Sequence, residues 1–319
     1  MFDIRLAVKK LKHQYLIKKA LRRNDFSNVI WLIGDGRSGT TWIANLLNAD
    51  KSYREMFEPF HPVKVPEASN FKENMYVNPD DSHSELRLYM SRVFDGSLTN
   101  LWVDRDIQNR RFEGLLVKDV FANLHAKWAL NQFPNIRPIL LIRNPMSVAS
   151  SKFVTKRWNW PESPSFFLED ENLMLNHLSE LRSIIKAVES RNDFIEKQIL
   201  NWCVIHKVLV EQFSLTDIHI VCYEDAYARP EKCISDALKF GKKTCNQILD
   251  KSVLNSKSIV SFKGSSIVEN KNPLTIWREN ITPHQLTLAA ELLREFGFAD
   301  WYPDFESPNL ANIKNAFLK

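Results

Sequence analysis

The sequence predicts an α/β protein, a mostly parallel sheet covered by helices on both faces. Short apolar runs, each too brief for a helix, recur along the 319 residues and read as buried parallel strands. Stretches with apolar residues at helical spacing separate them, and that alternation closes into a parallel sheet through crossovers. Glycine is scarce, 8 residues in all, against an average usage of roughly 7%. Yet Gly34, Gly36 and Gly39 fall together just after the first apolar run, where the backbone needs freedom.

Residues 1–27 form a basic N-terminal helix, with Ile4, Val8, Leu11 and Tyr15 as its apolar stripe. Residues 1–23 carry eight Lys or Arg against Asp3, so the segment is +7 while the chain as a whole is +5. Such a helix suits an anionic membrane surface, or packs on its own domain with a solvated basic face. The body beyond it is not basic, so no nucleic-acid partner is expected.

Residues 28–305 form one domain. Asn28–Ile33 is its first strand and Thr40–Leu47 its first helix. Leu115–Val117, Ile139–Ile142 and His219–Cys222 are further strands. Ala122–Gln132, Leu173–Val188, Ile195–Phe213 and Pro230–Phe240 are helices, and another begins near Val148. Thr282 opens a late helix, with Pro283 at its first position and Gly297 just past its end. Residues 60–112 and 155–170 lack clear periodicity and read as long loops that carry specificity. Residues 306–319 are a C-terminal tail.

Hydrophobic residues at 44% and charged residues at 25% describe a globular chain. No run approaches the roughly 18 apolar residues of a membrane span, and no secretory signal is recognisable. Cys203, Cys222, Cys233 and Cys245 are too few and too scattered for a disulfide scaffold or a zinc ribbon. A cytoplasmic setting follows. His83, His125, His177, His206, His219 and His284 show no metal-ligand spacing, so no metal is expected.

Gly34-Asp35-Gly36-Arg37-Ser38-Gly39-Thr40-Thr41 lies between a strand and a helix. Backbone N–H groups of such a turn, and the positive end of the helix, point at an anion. Thr40 stands where a nucleotide triphosphatase has its lysine, and Arg37 supplies the cation three residues earlier. A kinase also needs a carboxylate for magnesium, and Asp119 is the nearest candidate. One cation without a metal partner better suits a less charged transferring group.

Arg37-Ser38-Gly39-Thr40-Thr41-Trp42 resembles the 5′-phosphosulfate loop of sulfotransferases, which use 3′-phosphoadenosine 5′-phosphosulfate (PAPS). Ile142-Arg143-Asn144-Pro145, followed by Val148 to Phe153, resembles that family's second motif. There an Arg at a strand end and a Ser eight residues on grip the nucleotide 3′-phosphate, here Arg143 and Ser151. Tyr223-Glu224-Asp225 with Pro230 is similar to a segment whose Tyr lies near the adenine. Phe262-Lys263-Gly264 is similar to the C-terminal phosphate loop, and Trp277-Arg278 to the pair that follows it, here a dozen residues late. The resemblance implies a P-loop-like three-layer sandwich. It also implies sulfuryl transfer from PAPS, leaving adenosine 3′,5′-bisphosphate (PAP).

Chemistry of that kind needs cations at the leaving phosphate and at the sulfuryl oxygens, and a base at the acceptor. Arg37 fits the first role. Lys118, at the end of a strand, fits the second, or is a surface lysine. Cytosolic relatives pair that Lys with a His two residues on, but this chain reads Lys118-Asp119-Val120. The base then comes from Phe57-Glu58-Pro59-Phe60-His61, which is similar to a segment of glycan sulfotransferases. Glu58 is the first candidate and His61 the second. Trp42 stacks on the adenine or packs in the core. Trp102, Arg105, Trp158 and Trp160 suit a saccharide acceptor. A P-loop kinase and a non-catalytic nucleotide-binding module are the alternatives. The oligomeric state is left open.

Overall fold

The computed structural model describes residues 4–21, 26–107, 109, 111–155, 163–244 and 271–319, with the side chains of 4–7, 9, 10, 20 and 21 left aside. Among them, five strands build one sheet: β1 (Val29–Gly34), β2 (Tyr53–Phe57), β3 (Gly114–Lys118), β4 (Ile136–Ile142) and β5 (His219–Cys222). Their order is β2-β3-β1-β4-β5, and every neighbouring pair is parallel. All five strands therefore end on the same edge of the sheet, where ligands of open α/β sheets bind.

β1 is buried along its whole length because both faces of the sheet are covered. Trp31 and Ile33 enter one core layer with Val117, Leu140 and Ile142. Ile30 and Leu32 enter the other, with Leu116, Ile139 and Leu141. Helix α2 (Thr40–Leu47) and helix Pro230–Phe240 cover that second face, both as expected. Helix α5 (Pro145–Thr155) follows β4 directly, and helix Phe194–Gln212 packs alongside α5. Thr282 caps helix Pro283–Glu295 with a reciprocal capping box through Gln285. Residues 306–319 include helix Leu310–Asn315, and Ile313 and Phe317 are buried in the core.

Three local expectations need correction. β2 was unforeseen because Tyr53-Arg54-Glu55-Met56-Phe57 shows neither an apolar run nor alternation, although all five residues are buried. Arg54 is accommodated by full pairing. Its Nε donates to Asp104 Oδ1 at 2.9 Å, its Nη2 to the Leu98 carbonyl at 2.8 Å, and its Nη1 to the Gly96 carbonyl. Residues 60–112 are not all loop, since helix α3 spans Ser84–Phe94 and buries Leu86, Tyr89, Met90, Val93 and Phe94 at helical spacing. The expected helix Leu173–Val188 is broken by a wide turn at Met174–Leu178 and resumes at Arg182–Arg191. That turn presents His177 to Tyr76 Oη at 3.1 Å and to Glu211 Oε2 at 2.6 Å. Helix α4 (Ala126–Gln132) starts after a 3-10 turn at Asn123–His125.

Helix α1 (Ile4–Leu21) rests on the body through buried Ile17 and through His13, whose Nε2 bonds the Asp104 carbonyl. The three described cysteines, Cys203, Cys222 and Cys233, are buried free thiols. No helix among the described residues is long and apolar enough to cross a membrane.

Removing one member of a buried ion pair strands the other charge. Arg54→Met should therefore destabilise the protein by about 3–5 kcal/mol in chemical denaturation. Adding Asp104→Leu should recover part of that loss, whereas a single variant of wild-type stability would mean the pair does not hold β2.

Candidate active site

One candidate residue stands at the carboxyl end of each strand. Arg37 follows β1, Glu58 follows β2, Lys118 ends β3, Arg143 follows β4 and Tyr223 follows β5. The parallel sheet is the reason: residues scattered over the chain share an edge only if every strand runs the same way.

The loop after β1 is shaped by close approach. A Cβ on Gly34 would lie 2.7 Å from the Leu141 carbonyl oxygen, so β1 and β4 could not close at the turn. Gly39, at φ 99°, caps α2, and a Cβ there would lie 2.6 Å from the Tyr223 ring. Arg37 itself takes a left-handed conformation, φ 71°, as does Glu58 at φ 46°. Each such residue costs about 1–3 kcal/mol and is held only by its surroundings.

Those surroundings join the two distant motifs. Arg143 Nη1 donates to the Arg37 carbonyl at 3.1 Å, and Nη2 donates to the Pro273 carbonyl at 2.7 Å. Arg37 Nε donates to Ser151 Oγ at 3.1 Å. The Arg143 guanidinium lies 4.2 Å from the centroid of the Tyr223 ring. Trp42 meets the same ring edge-on at 5.4 Å, and Trp42 is buried in the second core layer. Ser38, Thr40 and Thr41 are also buried around the start of α2.

Glu58 and Lys118 form a pair, Nζ to Oε1 2.5 Å, with Lys118 almost fully buried and Glu58 partly open. Lys118 Nζ also lies 4.5 Å from the centre of the Phe57 ring. His61 is buried instead against Trp102 and Phe121, ring centroids 5.2 Å from each, and its Nδ1 accepts from the Val63 N–H at 3.3 Å. Burial holds the His61 imidazolium below its ordinary pKa. Asp119 accepts from the N–H groups of Phe60 and Phe121 at 2.9 and 2.7 Å, which ties the Glu58 turn to the end of β3. Burial lifts Asp119 to about 7 despite those two donors. No three His, Cys, Asp or Glu among the described residues gather as a metal-holding group. Lys263, Gly264, Trp158 and Trp160 lie outside the described residues.

Burial and the neighbouring Arg143 charge lower Arg37 to about 10, which leaves it protonated at neutral pH. Two buried polar atoms here have no partner among the described residues, Arg143 Nε and Ser38 Oγ. Buried donors are normally satisfied, and an oxyanion supplies what both need. The site thus offers a phosphate or sulfate group two linked guanidiniums, a helix N-terminus and unspent donors.

A family model described as "Sulfotransferase domain" matches residues 27–312. The chain belongs to the sulfotransferase domain family. Among solved structures it is similar to the sulfotransferase of Alicyclobacillus acidocaldarius, at 14% identity and TM-score 0.42, covering 84% of this chain and 95% of that one. Mouse sulfotransferase SULT7A1 complexed with PAP is similar at 14% identity and TM-score 0.45, covering 88% of each chain. STF9 from Mycobacterium avium is similar at 13% identity and TM-score 0.43, covering 89% of this chain and 80% of that one. No curated protein matches this chain. The family's donor is PAPS, and the residues present fit it: Arg143 Nε and Ser38 Oγ, without a partner among the described residues, flank the loop that suits its phosphates.

Sequence reasoning missed one pair. Asp35 places a carboxylate inside this sulfotransferase's anion loop, and Lys152 Nζ meets both its oxygens at 2.8 and 2.9 Å in buried surroundings. Lys152 directly follows Ser151, so consecutive residues of α5 hold Arg37 and Asp35. The signal was available: an acid in an anion-binding turn requires a compensating cation. Lys152→Met should weaken PAP binding, and Asp35→Asn in the same chain should restore it, a coupling of about 0.5–3 kcal/mol by calorimetry. Absence of rescue would mean that Lys152 acts through packing alone.

Proposed function

We propose that this sulfotransferase moves a sulfuryl group from PAPS to a hydroxyl or amine of a saccharide or glycoconjugate, by in-line displacement and without a metal. The observation that carries the reading is the adjacency of two units at one sheet edge: the linked guanidiniums of Arg37 and Arg143, and the Lys118–Glu58 pair. When bound, PAPS supplies the sulfuryl group and departs as PAP.

Arg37 neutralises the 5′-phosphate of the leaving group, with the N–H groups of Ser38 to Thr41 around it. Arg143 and Ser151 take the 3′-phosphate, and Tyr223 and Trp42 border the adenine. Lys263 and Gly264 complete the phosphate contacts, as the family resemblance implies. Lys118 steadies the sulfuryl oxygens. Glu58 removes the acceptor proton as the acceptor oxygen bonds to sulfur. A sulfuryl group beside Lys118 competes with Glu58 for the ammonium, which frees the carboxylate where the proton is released. His61 is the weaker candidate base because aromatic rings enclose it.

A saccharide acceptor is supported by the surface beside Glu58. Trp102 packs edge-on against Phe57 at 5.3 Å, and the Arg105 guanidinium lies 4.7 Å and 4.8 Å from the Phe57 and Trp102 rings. Aromatic faces receive sugar rings, and arginine receives their acidic substituents. We place the enzyme in the cytoplasm, at the surface of a membrane.

Glu58→Gln should lower kcat by about 10²–10⁴-fold and leave PAP affinity unchanged in calorimetry; a wild-type rate would remove Glu58 as the base. Arg143→Ala should cost about 2–5 kcal/mol of PAP binding. Titration of the wild-type chain with PAP, with and without magnesium and against ADP, tests the donor itself. Tight binding that needs the 3′-phosphate and ignores the metal is expected. A preference for ADP with magnesium would instead indicate a kinase.

A further inference from the structure

Helix α1 has a side seated on the body and an apolar stripe that the fold does not cover. His13 and Ile17, one turn apart, seat the helix on the body. Val8, Leu11 and Tyr15 lie on the opposite side at three- and four-residue spacing, and they are 58%, 66% and 57% exposed. Three aligned apolar side chains left in water are a contact surface still to be covered. Lys12 and Lys18 are exposed on the flanks of the stripe, and Lys19 Nζ sits 5.9 Å from the Tyr15 ring. No Asp or Glu occurs between Ile4 and Leu21.

We infer that this outer face of α1 binds an anionic lipid surface, with the helix lying in the plane of the interface. The charge pattern selects that occupant. A second copy meeting the same stripe across a two-fold axis would set lysines against lysines, with no acid on either helix to relieve them. A lipid surface accepts the apolar side chains among its acyl chains and the ammonium groups among its phosphates. The buried seat matters for the consequence. α1 is bonded to Asp104, in the same loop as Trp102 and Arg105, which lie beside Phe57 and hence beside Glu58. Lipid bound to the outer face of α1 therefore lies one helix diameter, about 10–12 Å, from the loop that carries Trp102 and Arg105. The inference rests on the surface of α1 alone and stands whether or not the donor assignment does.

Cosedimentation of the full chain with phosphatidylcholine vesicles, with and without phosphatidylglycerol, tests it. The wild-type chain should pellet with the phosphatidylglycerol vesicles and release as salt is raised. Val8→Ser, Leu11→Ser and Tyr15→Ser together, and separately Lys12→Gln, Lys18→Gln and Lys19→Gln together, should each weaken partitioning by about tenfold or more. Both variants should keep wild-type PAP affinity, which reports the fold of the body. Equal pelleting of wild type and variants, or none by the wild type, would overturn the inference. So would a dimer in light scattering that the apolar variant abolishes, since the stripe would then serve a second copy.

Discussion

The site depends on Arg143. Its guanidinium donates to the backbone carbonyl of Arg37, donates to that of Pro273 and faces the ring of Tyr223. Those contacts link the ends of β1, β4 and β5 with the chain that returns from the C-terminal region. They also hold Arg37 in a left-handed conformation that it would not keep alone. Without that grip the loop after β1 would lose its shape, and Gly39 would no longer need to fit beneath Tyr223.

Gathering cations at one sheet edge carries an electrostatic cost, which the fold offsets with paired charges. Asp35 meets Lys152 and Glu58 meets Lys118, so each lysine is neutralised locally. Burial and the Arg143 charge instead lower the affinity of Arg37 for its proton. Arginine withstands this because Arg37, brought down to about 10, still carries its charge at neutral pH. A lysine begins near 10.4, and the same surroundings would move it toward neutrality. The arginine in this loop is thus suited to standing beside a second guanidinium.

Most of the sheet was legible in the sequence because apolar strands and their terminating residues are local signals. The His219–Cys222 strand and the helices Thr40–Leu47 and Pro230–Phe240 match their expected limits. What escaped was non-local. β2 looks unlike a strand because Arg54 needs Asp104, far along the chain, before it can be buried. Helix α3 has helical spacing, but exposed Glu85, Arg87 and Leu88 obscure its buried side. The N-terminal helix seats itself on His13 and Ile17 and turns Val8, Leu11 and Tyr15 outward.

The sequence by itself determined the fold class, four of the five strands and the glycine-rich turn after β1, since hydrophobic spacing and glycine placement act over a few residues. Only the tertiary structure decided which residues meet at the strand ends. Arg37 reaches Ser151, Glu58 reaches Lys118 and Asp35 reaches Lys152 because five parallel strands end on one edge. That convergence depends on strand order and register, which are settled by packing across the whole core.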